Sequence, residues 1–155
     1  MANPDPAALG LLVTPQKMIL EPGERRLVRI AAIAPRGAAE RIYRVTVKPV
    51  IGDVSAASTA LKILVGYDVL VIVRPSVMTG IVTGVRTGSR LDLTNAGTTN
   101  VELYDGKQCD VRGTACTTLP ARRLYAGAAW GQPIDPGRTV EYRVKIGDKV
   151  ELKRF

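Results

Sequence analysis

The sequence predicts an all-β protein built as two sandwich-like units. First, the stretch LKILVGYDVLVIVRP sets Leu61, Ile63, Val65, Tyr67, Val69, Val71 and Val73 at alternate positions, and alternate side chains of a strand share one face. Second, β-branched apolar residues are interspersed with 15 Gly and 10 Pro, a composition that favours short strands joined by turns. Third, no window of about 12 residues holds a helical period and no longer repeat recurs. The 155 residues suit one ordinary domain or two small ones. With one Trp, one Phe and five Tyr, the interior must be made mainly of Val, Leu, Ile and Ala.

Along the chain, Val13–Leu20 reads as an edge strand interrupted by Pro15, which cannot donate to a ladder. Glu21-Pro22-Gly23 is a turn, Glu24–Ala34 a second strand and Pro35–Glu40 a loop. Arg41–Val50 alternates, with Tyr43, Val45 and Val47 facing inward and Arg44, Thr46 and Lys48 outward. Gly52–Ala60 is small and polar, hence a loop, and the long row runs from Leu61 to Pro75.

Beyond Pro75 the pattern restarts. RLDLTNAG is a strand running into a turn, and NVELYDG a strand that ends at Asp105-Gly106. RRLYAGAAW shows no clear order. Arg138–Phe155 gives the cleanest hairpin: Val140, Tyr142, Val144 and Ile146 alternate with Glu141, Arg143 and Lys145. Gly147-Asp148 turns, and Val150 and Leu152 return as the apolar partners of Glu151 and Lys153. Residues 1–75 supply about four strands and residues 76–155 about six, against roughly seven for a complete sandwich. The division into two units falls at Arg74-Pro75, where the proline holds Arg74 extended as the chain leaves one domain for the next.

The charge of +8 and pI of about 9.9 raise nucleic acid as a partner. The cations are dispersed, as in Lys48, Lys62, Arg86, Arg143 and Lys145, which is a weaker footprint than a cluster. The sequence contains no histidine, so neither a Ser–His–Asp nor a Cys–His arrangement nor a His-based metal site can be assembled. Two cysteines do not complete a structural zinc site, and no cofactor is expected. Cys109 and Cys116, flanking Gly113, read as a small loop closed by a disulfide, which implies an oxidising compartment such as the periplasm. The alternative is two buried thiols. The stretch MANPDPAALG has no features of a signal peptide, and no segment reaches the roughly 18 apolar residues of a membrane span.

Taken in order, LLVTPQKMILEPGERRLVRI, ERIYRVTVKP, the strand ending in VIVRP, and LTNAGTTNVELYDGKQC…C…LPARRLYAGAAW resemble the periplasmic pilus-assembly chaperones of the chaperone–usher pathway. The last stretch is most similar to the alternative branch, which assembles CFA/I-like fimbriae. The resemblance spans nearly the whole chain. It implies two immunoglobulin-like domains, residues 1–75 and 76–155, and no enzymatic activity. The implied partners are pilus subunits and an outer-membrane usher, without nucleic acid or membrane insertion.

In that family the chaperone lends the last strand of its first domain to a subunit lacking its own final strand. Carried over, Leu61, Ile63 and Val65 project into the subunit, while Val69–Val73 belongs to the chaperone's own sandwich. By pattern alone, all seven residues face the chain's own core equally well. Two departures stand out. The family grips the subunit carboxylate with a first-strand Arg and a Lys four residues before the Arg of the RP pair. The first strand has no counterpart here, and the Lys position is Leu70, which offers no charge. The expectation is therefore a chaperone truncated at its N-terminus, with its export signal missing. The competing readings are an immunoglobulin-like surface module or pilus subunit completed by a partner's strand, and a basic β-fold that binds nucleic acid.

Overall fold

A computed structural model describes residues 5–50 and 63–155. The chain divides into two compact units, Met1–Gly37 and Ala38–Phe155. The regular structure of the described residues is strand, in twelve segments, apart from one four-residue helix, α1 (Pro6–Leu9).

In the first unit, the Asp5 side chain accepts the Ala7 N–H at 3.0 Å and caps α1. β1 (Leu11–Thr14) pairs antiparallel with β2 (Arg29–Ala32), Leu11 opposite Ala32. β2 is shorter than the expected Glu24–Ala34, and β1 is both shorter than the expected Val13–Leu20 and displaced toward the N-terminus, with no strand beyond Thr14. Pro15 follows β1 directly and has no N–H with which to extend the ladder, so β2 finds only four partners. The expected turn is present: the Glu24 N–H donates to the Glu21 carbonyl at 2.9 Å, with Gly23 at φ 82°. Pro followed by a positive-φ Gly is the signature of a type II turn.

The second unit opens with an antiparallel ribbon of β3 (Arg41–Val47) and β4 (Tyr67–Val73), in register from Arg41↔Val73 to Val47↔Tyr67. Eight further strands follow: β5 (Val82–Thr87), β6 (Arg90–Asn95), β7 (Val101–Cys109), β8 (Cys116–Leu119), β9 (Arg122–Leu124), β10 (Ala129–Pro133), β11 (Thr139–Ile146) and β12 (Lys149–Arg154). One sheet has the order β10-β6-β5. The other has the order β12-β11-β7-β8, with β9 also on β7. β8 and β9 flank Pro120 and pair with successive halves of β7, so they act as one strand broken by a proline.

The two sheets enclose one core. Val82, Leu91 and Leu93 come from the first sheet, and Val101, Leu103, Leu119, Leu124, Val140, Tyr142 and Val144 from the second. Trp130 and Phe155 pack edge-on to Tyr142, with ring centroids 6.3 and 6.5 Å away. Asn95, in the LTNAG stretch, is fully buried and fully bonded. Its amide nitrogen donates to the carbonyls of Thr99 (2.8 Å), Leu124 (3.1 Å) and Tyr125 (3.3 Å), and its oxygen accepts the N–H of Gly97 and Ile81. One side chain thus ties three loops together at one end of the sandwich.

Two expectations are corrected here. Asp105-Gly106 does not end a strand. β7 runs through it to Cys109, and the register shift between Glu141 and Arg143 marks a β-bulge opposite Tyr142. Asp105 takes a positive φ of 48°, and any Cβ on Gly106 would overlap the Tyr142 ring. The β11–β12 hairpin forms at Gly147-Asp148, but β12 has the opposite phase. Lys149, Glu151 and Lys153 pair with Ile146, Val144 and Tyr142, so they share the inward face, and Val150 and Leu152 face outward and are exposed.

Candidate functional site

The row that begins at Leu61 divides at Gly66. From Tyr67 to Val73 it is strand β4, bonded to β3. Ile63 to Gly66 precede the strand, and Leu61 lies outside the described residues. The ladder ends where its partner does: two residues beyond Val47 stands Pro49, which has no N–H to offer Val65. Among the described residues β4 pairs on one side only, which leaves its other edge a line of unpaired donors and acceptors.

Exposure along the row is graded. Val71 and Val73, nearest Pro75, are half-buried. Val69 is 44% exposed, Tyr67 66%, Val65 65% and Ile63 77%. On the opposite ribbon face, the Arg44 guanidinium meets the Asp68 carboxylate at 3.1 Å. Leu70 stands directly across from Arg44 in register, so a cation does lie beside this position, though it is already paired with Asp68.

The ribbon's base is built differently. Arg74 is exposed and Pro75 buried. Arg74 lines a polar cleft with Met78, Thr99, Asn100, Arg123 and Lys145. Beside this base is Glu40, which sequence reading leaves in a loop. It is 9% exposed and accepts bonds from Thr99, Asn100 and Ala126. No local pattern marks it, because these partners lie 59, 60 and 86 residues further on.

Cys109 and Cys116 are cross-strand partners on β7 and β8 and form a disulfide, with Cα atoms 4.1 Å apart. Inside the loop, Asp110 accepts the N–H of Thr114 (2.8 Å) and Ala115 (3.1 Å). The Ala115 bond, foremost, holds its carboxyl below the usual range. Reduction should cost about 2–3 kcal/mol for so short a loop. Urea unfolding with and without dithiothreitol measures it. Among the described residues, no three His, Cys, Asp or Glu side chains gather as a metal site, and no helix is long and apolar enough to cross a membrane.

No family model and no curated protein matches the sequence. Solved structures do match the fold. The class 5 fimbriae chaperone CfaA superposes with a TM-score of 0.73 at 19% identity, over 94% of this chain and 72% of that chain. A chain from a chaperone–tip adhesin complex of CFA/I fimbriae biogenesis gives a TM-score of 0.69 at 19% identity, over 94% and 71%. The fold is therefore that of the fimbrial chaperones, which is the architecture the sequence motifs imply.

Proposed function

We propose that this chain is a periplasmic chaperone for pilus or fimbrial subunits and acts by lending them an apolar strand. The carrying observation is the graded row on β4: a strand that pairs on one side only among the described residues and whose apolar side chains become more exposed away from Pro75. A strand of this kind suits β-augmentation. The free edge supplies main-chain hydrogen bonds, and alternate side chains fill the partner's groove. Leu61, Ile63 and Val65 are the donated residues, each contributing roughly 1.5–3 kcal/mol once buried. Val71 and Val73 stay with the chaperone. Arg74 and Pro75 form the hinge between its two domains, and the loaded subunit passes to an outer-membrane usher. The role is one of binding rather than catalysis and requires no cofactor.

A competition experiment tests this. The chain is co-expressed with a fimbrial subunit lacking its final strand, and the complex is purified. A synthetic peptide of residues 61–73 should displace the subunit. The same peptide with aspartate in place of Ile63 and Val65 should not. Equal displacement by both peptides would show that the apolar row does not hold the partner.

A further inference from the structure

We propose that the tip of the Cys109–Cys116 hairpin is a docking point for an acidic protein surface that carries an apolar pocket, and that this surface belongs to the usher. The choice of the usher rests on the chaperone reading above.

The Gly113 N–H donates to the Asp110 carbonyl at 2.9 Å, which makes Val111 and Arg112 the two central residues of a β-turn. The base of this turn is closed by the disulfide. The Asp110 carboxylate braces it from within, accepting the Thr114 hydroxyl at 3.1 Å as well as the two backbone N–H groups described above. From outside, Arg138 Nη1 donates to the Ala115 carbonyl at 2.9 Å and ties the hairpin to the chain before β11. A tip fixed in this way loses little freedom on binding, and that loss is a main cost of loop contacts. What it presents is an apolar side chain and a cation. Val111 is 90% exposed. Arg112 is exposed too, and no carboxylate is ion-paired with it among the described residues. Both side chains gain from a partner: the valine leaves water, and the guanidinium takes a carboxylate through charge-assisted bonds.

Charge and position select the partner. Around the tip, Glu141 is shared between Lys107 and Arg154, and Asp135 takes Arg138, so Arg112 adds to a local excess of cations. Such a surface steers and holds an acidic one. β7 begins beside Thr99 and Asn100, which line the cleft with Arg74 at the ribbon's base, and it ends at Cys109. Val101 to Cys109 spans roughly 26 Å of extended chain, so the tip stands at the far end of the sandwich from the ribbon's base. A partner on the tip therefore does not compete with one on β4. In the delivery proposed above, the usher is the component that meets a chaperone whose β4 is already occupied.

The test uses the purified chaperone–subunit complex and the detergent-solubilised usher of the same fimbrial system, immobilised on a surface. The parent complex should bind, and more weakly as salt rises. Val111→Asp should weaken that binding about tenfold or more, since it removes one apolar contact and sets a carboxylate against an acidic surface. Arg112→Glu should weaken it at least as much and flatten its salt dependence. Both side chains are exposed, so the melting temperature and the amount of subunit captured should match the parent's. Usher binding equal to the parent's in both variants would overturn the proposal, and so would a parent complex that does not bind the usher. Either result leaves subunit capture, and with it the chaperone reading, standing. A parent that captures no subunit would sink the chaperone reading and this proposal together.

Discussion

Truncating Tyr142 to alanine should lower the unfolding free energy by about 3–5 kcal/mol, the range for deleting a large aromatic side chain from a packed core. Tyr142 is fully buried at the centre of the β5–β12 sandwich, with Trp130 and Phe155 edge-on to its ring and Gly106 leaving it space. Its hydroxyl donates at 3.2 Å to the carbonyl of Pro120, where the proline interrupts the β8–β9 edge. Tyr142→Phe keeps the ring and removes only this bond, so it should cost about 1 kcal/mol. The hydroxyl also predicts a pH dependence. Burial pushes the phenol from 10.0 up to about 12. Between those values the unfolded chain sheds a proton that the folded chain keeps. Stability is therefore full below pH 10 and declines as pH rises toward 12. Urea unfolding at pH 8 and again above pH 10 should show this decline, reduced in Tyr142→Phe. Equal costs for the alanine and phenylalanine variants would mean that the ring is not central to the core.

The sequence reveals this core because Val140, Tyr142 and Val144 alternate without interruption and all three are buried. The phase of β12 is equally legible, but in the turn rather than in hydrophobicity. Two residues, Gly147 and Asp148, separate Ile146 from Lys149, so these two must pair and share a face. That parity turns Val150 and Leu152 outward, although their composition suggests the reverse. Asp105-Gly106 is ambiguous in a deeper way. A positive φ at Asp and the absence of a side chain at Gly serve a turn and a bulge alike, and only the Tyr142 ring on the facing strand selects the bulge.

The candidate site is legible in the same uneven manner. The apolar row is visible as strict alternation, but where its ladder stops depends on Pro49 in the partner strand. Glu40 and Asn95 cannot be read at all. Their significance comes from loops dozens of residues away, and an acidic residue at the end of a small-residue loop looks like ordinary solvated surface. Periodicity reports which face a strand buries. It carries no information about which loops meet.

Replacing Ile63 by aspartate should abolish subunit capture and leave the chain as stable as before. Ile63 is 77% exposed, so in the free chain the new carboxylate stands in water at little cost. In a partner's groove it would forfeit roughly 1.5–3 kcal/mol of apolar burial. It would also be desolvated without a counter-charge. Because each 1.4 kcal/mol is a factor of ten, capture should weaken by at least about a hundredfold. Val71→Asp should behave oppositely. Val71 is half-buried in β4 opposite Tyr43, so a carboxylate there is partly desolvated in the folded chain itself and should lower the melting temperature. Thermal melts and co-purification of a subunit, run on both variants, separate the two halves of one row. If Ile63→Asp destabilised the chain as much as Val71→Asp, the row would belong to the chain's own interior along its whole length, and no part of it would be free to lend.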